Sequence, residues 1–296
     1  MNKTNHSIYF NICIFLVLGI YNVNLMAEQK IFSQCENRGY YTPNPDELDV
    51  AESLFSRIVS LQADTGLIKA FEDINLDVTL KSSDLIDYTL VSEFVEQCRG
   101  KGSYAINYNA DNRVMIQSPH VFFDTYTGEI AEQLFLTGHI YAAAWNSISR
   151  KKKSMNSKDV ADLAHNDDSI MMRVSLAFAR KEKNARIIQL HGFSRKKRKT
   201  PAGRLADVII SSGTKKASAA SKKLYLCLKK QFSKKNILHY PYEVKELGAT
   251  KNTIARRLRT IAFDGFVHME MSKGFRKTIK TESKKLDKVV QCLAEL

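Results

Sequence analysis

From about residue 111 onward the chain alternates short apolar runs with amphipathic segments, and that alternation limits its possible folds more than any other feature. "RVMIQS" reads as a strand, "TGEIAEQLFLT" as a helix capped by Thr127, and "HIYAAAW" as a strand. A basic loop, a helix from Ser169 to about Arg180 and the strand "RIIQL" come next. The strand "ADVIISSG", the helix "ASAASKKLYLCLKKQF" and the strand "NILHYPYEV" follow. The helix "TKNTIARRLRTIAF", the strand "GFVHMEMS" and the helix "TESKKLDKVVQCLAEL" close the chain. Strands alternating with such helices predict an α/β fold, a mostly parallel or mixed central sheet with helices on both faces. "RIIQL" and "ADVIIS" are apolar without strict alternation, as strands buried on both faces are. Residues 28–110 read as a smaller helical or mixed N-terminal segment preceding the 111–296 domain. There "DELDVAESLFSRIVSLQ" sets Val50, Leu54, Ile58 and Leu61 near one helical face.

Residues 1–27 read as a signal peptide. Lys3 is the only charged residue before Glu28, and the apolar run from Ile12 to Ile20 is followed by a polar stretch ending in Met26-Ala27. That run falls short of the roughly 20 residues a membrane span needs but fits a signal core. Leu25 at the −3 position leaves an uncleaved anchor as the alternative. A periplasmic or secreted protein is expected, with no transmembrane span after signal removal. Cleavage takes Cys13 and leaves Cys35, Cys98, Cys227 and Cys292. Two disulfides in any of three connectivities, or buried free thiols, fit that set. The wide spacing argues against a cysteine zinc site. Net charge is +14, concentrated in Arg150–Lys153, Arg195–Lys199 and lysine-rich helices near 222 and 284. On an exported chain such runs fit an anionic cell-envelope polymer, an acidic substrate or a membrane surface, or are simply solvated faces.

In open α/β sheets, ligands gather beyond the carboxyl ends of the strands. The polar residues there are His120 and Asp124, Asn146 and Arg150, His191, Ser211 with Ser212, and Glu270. Catalytic zinc typically takes three protein ligands and leaves one position open. His120 and His191 supply two nitrogens; Asp124 is the preferred third ligand, with Glu129 as an alternative. Glu270, between Met269 and Met271 in an apolar strand, is costly to bury without a partner and is the candidate general base. Against this stands the plainer reading, in which each histidine is a hydrogen-bonded turn or core residue and Glu270 faces solvent. His139, His239 and His268 belong to no motif and read as structural.

The stretches "SPHVFFDTYTG", "WNSISR" with "ADLAH", "IIQLHGF" and "HMEMSKGFR", in that order, resemble the N-formylglutamate amidohydrolase-like group of zinc hydrolases. That group belongs to the wider zinc carboxypeptidase and phosphorylase/hydrolase-like fold. The resemblance covers roughly residues 111–280. It implies a mononuclear Zn2+ site, amide hydrolysis and a late acid as general base: His120 and His191 as ligands, Glu270 as the base. Two departures bear on the site. The carboxypeptidases of this fold use His-x-x-Glu, whereas residue 123 here is Phe and the nearest acid is Asp124. "DLAH" stands where the amidohydrolases have Asp-Leu-Asn-Arg, so Asp162 is retained and His165 replaces the Arg. His165 is therefore a further candidate, as ligand or proton carrier. Substrates of such a group usually carry a carboxylate, which arginine binds through paired hydrogen bonds. Arg150, Arg256 and Arg276 are the candidate clamps, and Asn146 and Asp162 complete the candidate substrate-binding set.

Two rival readings remain open on sequence. "ELGATKNTIARRLRTIAFDGFVHME" also looks like a winged helix-turn-helix with "DGFVHME" as the wing, which with the basic charge would make a nucleic-acid-binding protein. The leader counts against it, and no nucleic-acid partner is expected. The other rival is a metal-free exported binding module on the same fold.

Overall fold

The computed structural model describes residues 30–33, 35, 38–60, 63–182 and 184–296. The signal expected at 1–27 and the helix-face residue Leu61 lie outside the described residues. The N-terminal segment forms α1 (Pro45–Ile58), α2 (Thr65–Glu72), β1 (Leu76–Ser82), β2 (Asp87–Glu93) and β3 (Ser103–Ile106). Next come β4 (Val114–Ser118), α3 (Thr127–Leu136), β5 (Ala142–Trp145), α4 (Ile170–Lys181) and β6 (Arg186–Phe193). The rest is α5 (Pro201–Leu205), β7 (Val208–Ser211), α6 (Ala219–Gln231), β8 (Ile237–His239), α7 (Thr253–Thr260), β9 (Phe266–Ser272), α8 (Lys273–Thr281) and α9 (Ser283–Ala294).

Local chemistry explains where these helices start. Before α1, the Asn44 side chain accepts from Glu47 N–H at 2.9 Å, Pro45 opens the helix, and Asp46 and Glu47 fill its first turn. Its buried face is Leu48, Ala51, Leu54, Phe55 and Ile58, while Val50 is 43% exposed. The apolar stripe thus runs beside the one read from sequence, because Phe55 and Leu48 are larger anchors than Val50. Ser169 caps α4 by accepting from Met172 N–H at 3.2 Å. Thr127 is the first residue of α3 rather than its cap, and Tyr126 precedes it in the left-handed region at φ 76°.

One mixed sheet carries the strands in the order β1-β2-β3-β5-β4-β6-β9-β7-β8. Its centre, β5-β4-β6-β9, is parallel. The strands β1 to β3 extend that sheet antiparallel and join it through β3 and β5. Beyond β9, β7 runs antiparallel and carries β8 parallel to itself. Between β6 and β7 lie a single 3-10 turn (Arg195–Lys197) and α5, five residues long, about 8 Å of α-helix and too little to return the chain along the sheet. β7 therefore reverses, and its Ser211 lies beside His268 near the amino end of β9. Ser211 and Ser212, expected on the functional rim, sit at the opposite edge.

Helices cover both faces. On one side α1, α2, α4 and α7 enclose a core with Met115, Ile187 and Phe266. On the other, α3, α6, α8 and α9 pack on Ile116, Ile188 and Val267. Each central strand thus feeds apolar side chains to both cores, which is why its sequence does not alternate. β9 is buried at all seven residues and paired on both sides, so "DGFVHME" forms a central strand and not a wing. Cys35 pairs with Cys98 and Cys227 with Cys292; the second bridge ties α6 to α9. Among the described residues, no helix is long and apolar enough to cross a membrane.

Candidate metal centre

On the face toward α4 and α7, the central strands begin apolar and end polar. Met115 gives way to Gln117 on β4, Ile187 to Gln189 and His191 on β6, and Phe266 to His268 and Glu270 on β9. Pairing sets Gln117 beside Gln189, Gln189 beside His268, and His191 beside Glu270. β6 does not turn at His191-Gly192 but continues to Phe193. His191 is therefore held by strand pairing, more rigidly than a loop residue. Gly192 is needed for a different reason: a Cβ there would collide with the Arg276 guanidinium. That guanidinium donates to Met271 O and, at 2.7 Å, to Thr125 O.

His120 arrives from the turn after β4. Phe123 and Asp124 N–H donate to its carbonyl at 2.9 and 2.8 Å, and Thr127 Oγ1 donates to Asp124 O at 2.8 Å. These bonds curl Asp124 back over His120. Asn146 fixes the same turn, donating from Nδ2 to Pro119 O and Ala161 O at 3.1 Å each. Both its amide hydrogens are used there, so it positions the turn and has none left for a substrate.

Three ligand atoms then converge. His120 Nδ1 lies 3.1 Å from His191 Nδ1, and Asp124 Oδ2 is 3.3 Å from the first and 3.4 Å from the second. All three residues are buried. A tetrahedral ion bonded at about 2.0–2.1 Å holds its ligand atoms about 3.3 Å apart. The triangle has the right edges for such an ion.

The outer nitrogens of both rings decide where their protons sit. His120 Nε2 donates to Asp162 Oδ1 at 2.8 Å, and Asp162 is also the ion-pair partner of Arg150. His191 Nε2 faces Gln189 Oε1 at 2.9 Å. The orientation of that amide follows from backbone groups at both ends of a buried chain. Ser175 Oγ donates to Met171 O at 2.6 Å, and so accepts from Gln117 Nε2 at 2.7 Å; Gln117 Oε1 then accepts from Gln189 Nε2 at 3.0 Å. From the other end, Asn252 Oδ1 accepts from Ala255 N–H at 2.9 Å, which leaves its Nδ2 to donate to Gln189 Oε1 at 2.6 Å. Gln189 Oε1 is an acceptor, and His191 carries its proton on Nε2. Both Nδ1 lone pairs therefore point at one another and at a carboxylate. Such a meeting of three acceptors calls for a cation or a shared proton. Arg150 also brings a donor within 3.0 Å of His120 Nδ1 and must release that contact when an ion binds there.

The electrostatics follow from this packing. Burial opposes charge on Asp124, yet the His120 and His191 rings beside it hold its carboxyl well below the usual range. Asp162 is likewise depressed: burial opposes, and His120 and His165 prevail. Burial drives His191 down to about 4, with Asp124 opposing, so its ring is neutral as a metal ligand must be. For His120, burial lowers the pKa but Asp124 and Asp162 outweigh it and raise it. Burial pushes Glu270 up to about 8, with the Asp124 charge adding to the rise.

Glu270 lines a cleft of about 480 Å³ together with Asp124, Phe193, Lys197 and Arg276. Among the described residues, its Oε2 has no hydrogen-bond partner and neither has His268 Nδ1. His268, read as structural from sequence, packs its ring 4.5 Å from that of His191 and forms a second buried cluster with His191 and Glu270. His165 stands outside the triangle and pairs with Asp162 at 3.2 Å. Glu129 pairs instead with Lys30 at 3.4 Å and is not part of the triangle. Arg256 lies 3.7 Å from Asp167 and does not line the cleft. His139 pairs with Asp111 at 2.8 Å and His239 meets Ser221 at 3.3 Å, both away from the site. Sequence reading missed Gln117, Gln189 and Asn252. The available signal was a glutamine at matching places in two apolar strands, "VMIQS" and "RIIQL".

Outer hydrogen-bond partners of metal-bound histidines typically contribute 10–100-fold to affinity. Gln189→Leu is expected to weaken zinc binding by about that factor in chelator competition. Gln189→Glu, which keeps an acceptor for His191 Nε2–H, is expected to hold zinc as tightly as the parent protein.

No protein-family model matches the chain, and no curated protein matches it. Among solved structures it is similar to one described as zinc-free YndL, at 14% identity and TM-score 0.40, over 66% of this chain and 88% of that one. A bacteriophage poly-gamma-glutamate hydrolase aligns at 12% identity and TM-score 0.38, over 68% and 90%. A metallo-carboxypeptidase from Burkholderia cenocepacia aligns at 8% identity and TM-score 0.39, over 79% and 69%.

Proposed function

We propose that this chain is an exported zinc-dependent hydrolase that cleaves an amide bond in an N-acyl amino acid, a peptide or a peptidoglycan fragment. One observation carries the reading: two histidine nitrogens presenting lone pairs and a carboxylate oxygen, none with a proton of its own to offer, are spaced like three corners of a tetrahedron around one ion. The ligands are His120, Asp124 and His191. When bound, such an ion polarises a carbonyl and brings the pKa of water toward ~7. The chain supplies the rest. Glu270 receives the proton at its free Oε2 and passes it to the leaving amine. Asp162 fixes the His120 ring, and Arg150 balances the charge of Asp162. Arg276, whose guanidinium is pinned to two backbone carbonyls in the cleft wall, is the arginine best placed to take a substrate carboxylate. Two disulfides fit an oxidising compartment, and with it the signal at 1–27 and a periplasmic or secreted location.

The test is metal content followed by turnover. The mature protein is expected to hold about one zinc per chain and to release amine from N-acyl amino acids or short peptides. Chelation is expected to abolish release, and added zinc to restore it. A chain that takes up no metal when dialysed against zinc would instead be a metal-free binding module.

A further inference from the structure

The basic runs noted in the sequence meet at the cleft. The turn after β6 lines one wall with Arg195, Lys196, Lys197 and Arg198, and the start of α8 adds Lys273. Two of these are already committed: Arg195 to Asp207 at 2.6 Å and Arg198 to Glu246 at 3.5 Å. Lys196, Lys197 and Lys273 are exposed and form no ion pair among the described residues. On the opposite lip, half-exposed Phe123 carries Lys151 over its ring at 4.8 Å, bringing in the other run. The carboxylates of the cleft lining are Asp124 and Glu270, and both face the metal centre. A cleft whose floor is occupied by the reaction chemistry and whose lips carry unpaired ammonium groups attracts a ligand with negative charge at several points along its length.

We infer that the substrate is an acidic peptide chain, with carboxylates on residues flanking the scissile amide, and that Lys196, Lys197 and Lys273 bind those flanking carboxylates. This rests on the amide-hydrolase reading and extends it from one carboxylate to several. An acidic peptide fits better than a single-stranded nucleic acid. The latter calls for a row of aromatic platforms, and this cleft offers only Phe123 and the buried Phe193.

Two measurements test it separately from the chemistry. In the first, fluorescent oligoglutamate binds the zinc-free protein and is followed by anisotropy beside a single-stranded oligonucleotide of equal charge. The peptide is expected to bind more tightly, with affinity falling as salt rises toward 1 M, where charges are screened beyond about 3 Å. Oligonucleotide binding as tight or tighter, or no peptide binding, overturns the inference whether or not the protein is a hydrolase. In the second, one scissile amide is presented with one or with four flanking carboxylates. The ratio of kcat/KM between the two is expected to favour the more acidic substrate at low salt. It is expected to drop about tenfold in the variant combining K196Q, K197Q and K273Q. A ratio near one in the parent protein, or one unchanged in the variant, overturns the inference and leaves amide hydrolysis standing.

Discussion

His191→Ala is expected to empty the metal centre and abolish amide cleavage in a single step. The imidazole supplies one of three converging ligand atoms, and among the described residues its Nδ1 meets only His120 Nδ1 and Asp124 Oδ2, neither of which donates to it. Removing it leaves His120 and Asp124, an incomplete set for a tetrahedral ion. The loss of zinc affinity is expected to exceed the 10–100-fold typical of losing an outer hydrogen-bond partner, so elemental analysis after gel filtration should read close to no metal. Asp124→Ala is expected to behave alike. Glu129→Ala, which removes the ion-pair partner of Lys30 and Lys280, is expected to keep its zinc. Circular dichroism distinguishes this from unfolding: β6 is held by β4 and β9 through backbone pairing that the substitution leaves in place. Zinc retained at parental stoichiometry in His191→Ala would show that the convergence of the two histidines is not a metal centre.

The parts of this site legible from sequence were those imposed by strand ends. A buried parallel strand must expose its polar groups somewhere, and the carboxyl ends of β4 and β6 deliver His120 and His191 accordingly. What sequence concealed was set by pairing between distant segments. Gln117 and Gln189 look like polar interruptions until the register puts them side by side. The reversal of β7, which carries Ser211 away from the rim, depends on how short α5 is, and a parallel and an antiparallel apolar strand read alike in sequence. The hairpin of β1 and β2 is half exposed and charged at its tip, so its strand period was masked within a segment read only as helical or mixed. His268 gave no sign of its place because its contacts come from β6 and β7, far off in the chain.

Glu270→Gln is expected to separate holding the metal from using it. The amide keeps the size of the carboxyl but cannot accept and return a proton at neutral pH, so turnover should fall by about 10²-fold or more while zinc stays bound. A second consequence is visible in the metal-free protein. In the unfolded chain this carboxyl loses its proton near 4.3, whereas in the fold burial delays the loss to about 8. The folded state therefore binds more protons than the unfolded state between those values. The stabilising contribution of Glu270 is full below about 4.3 and is lost as pH rises through about 8. Glutamine has no such titration. Denaturant midpoints of the two metal-free proteins are expected to diverge across that window, the parent losing stability relative to Glu270→Gln as pH climbs. A bound cation 's charge favours the carboxylate, so the acid limb of turnover should lie below pH 8 in the zinc form and vanish in the variant. Parental turnover in Glu270→Gln would remove Glu270 from the reaction. Parallel stability curves would show that its carboxyl is not buried as a neutral acid.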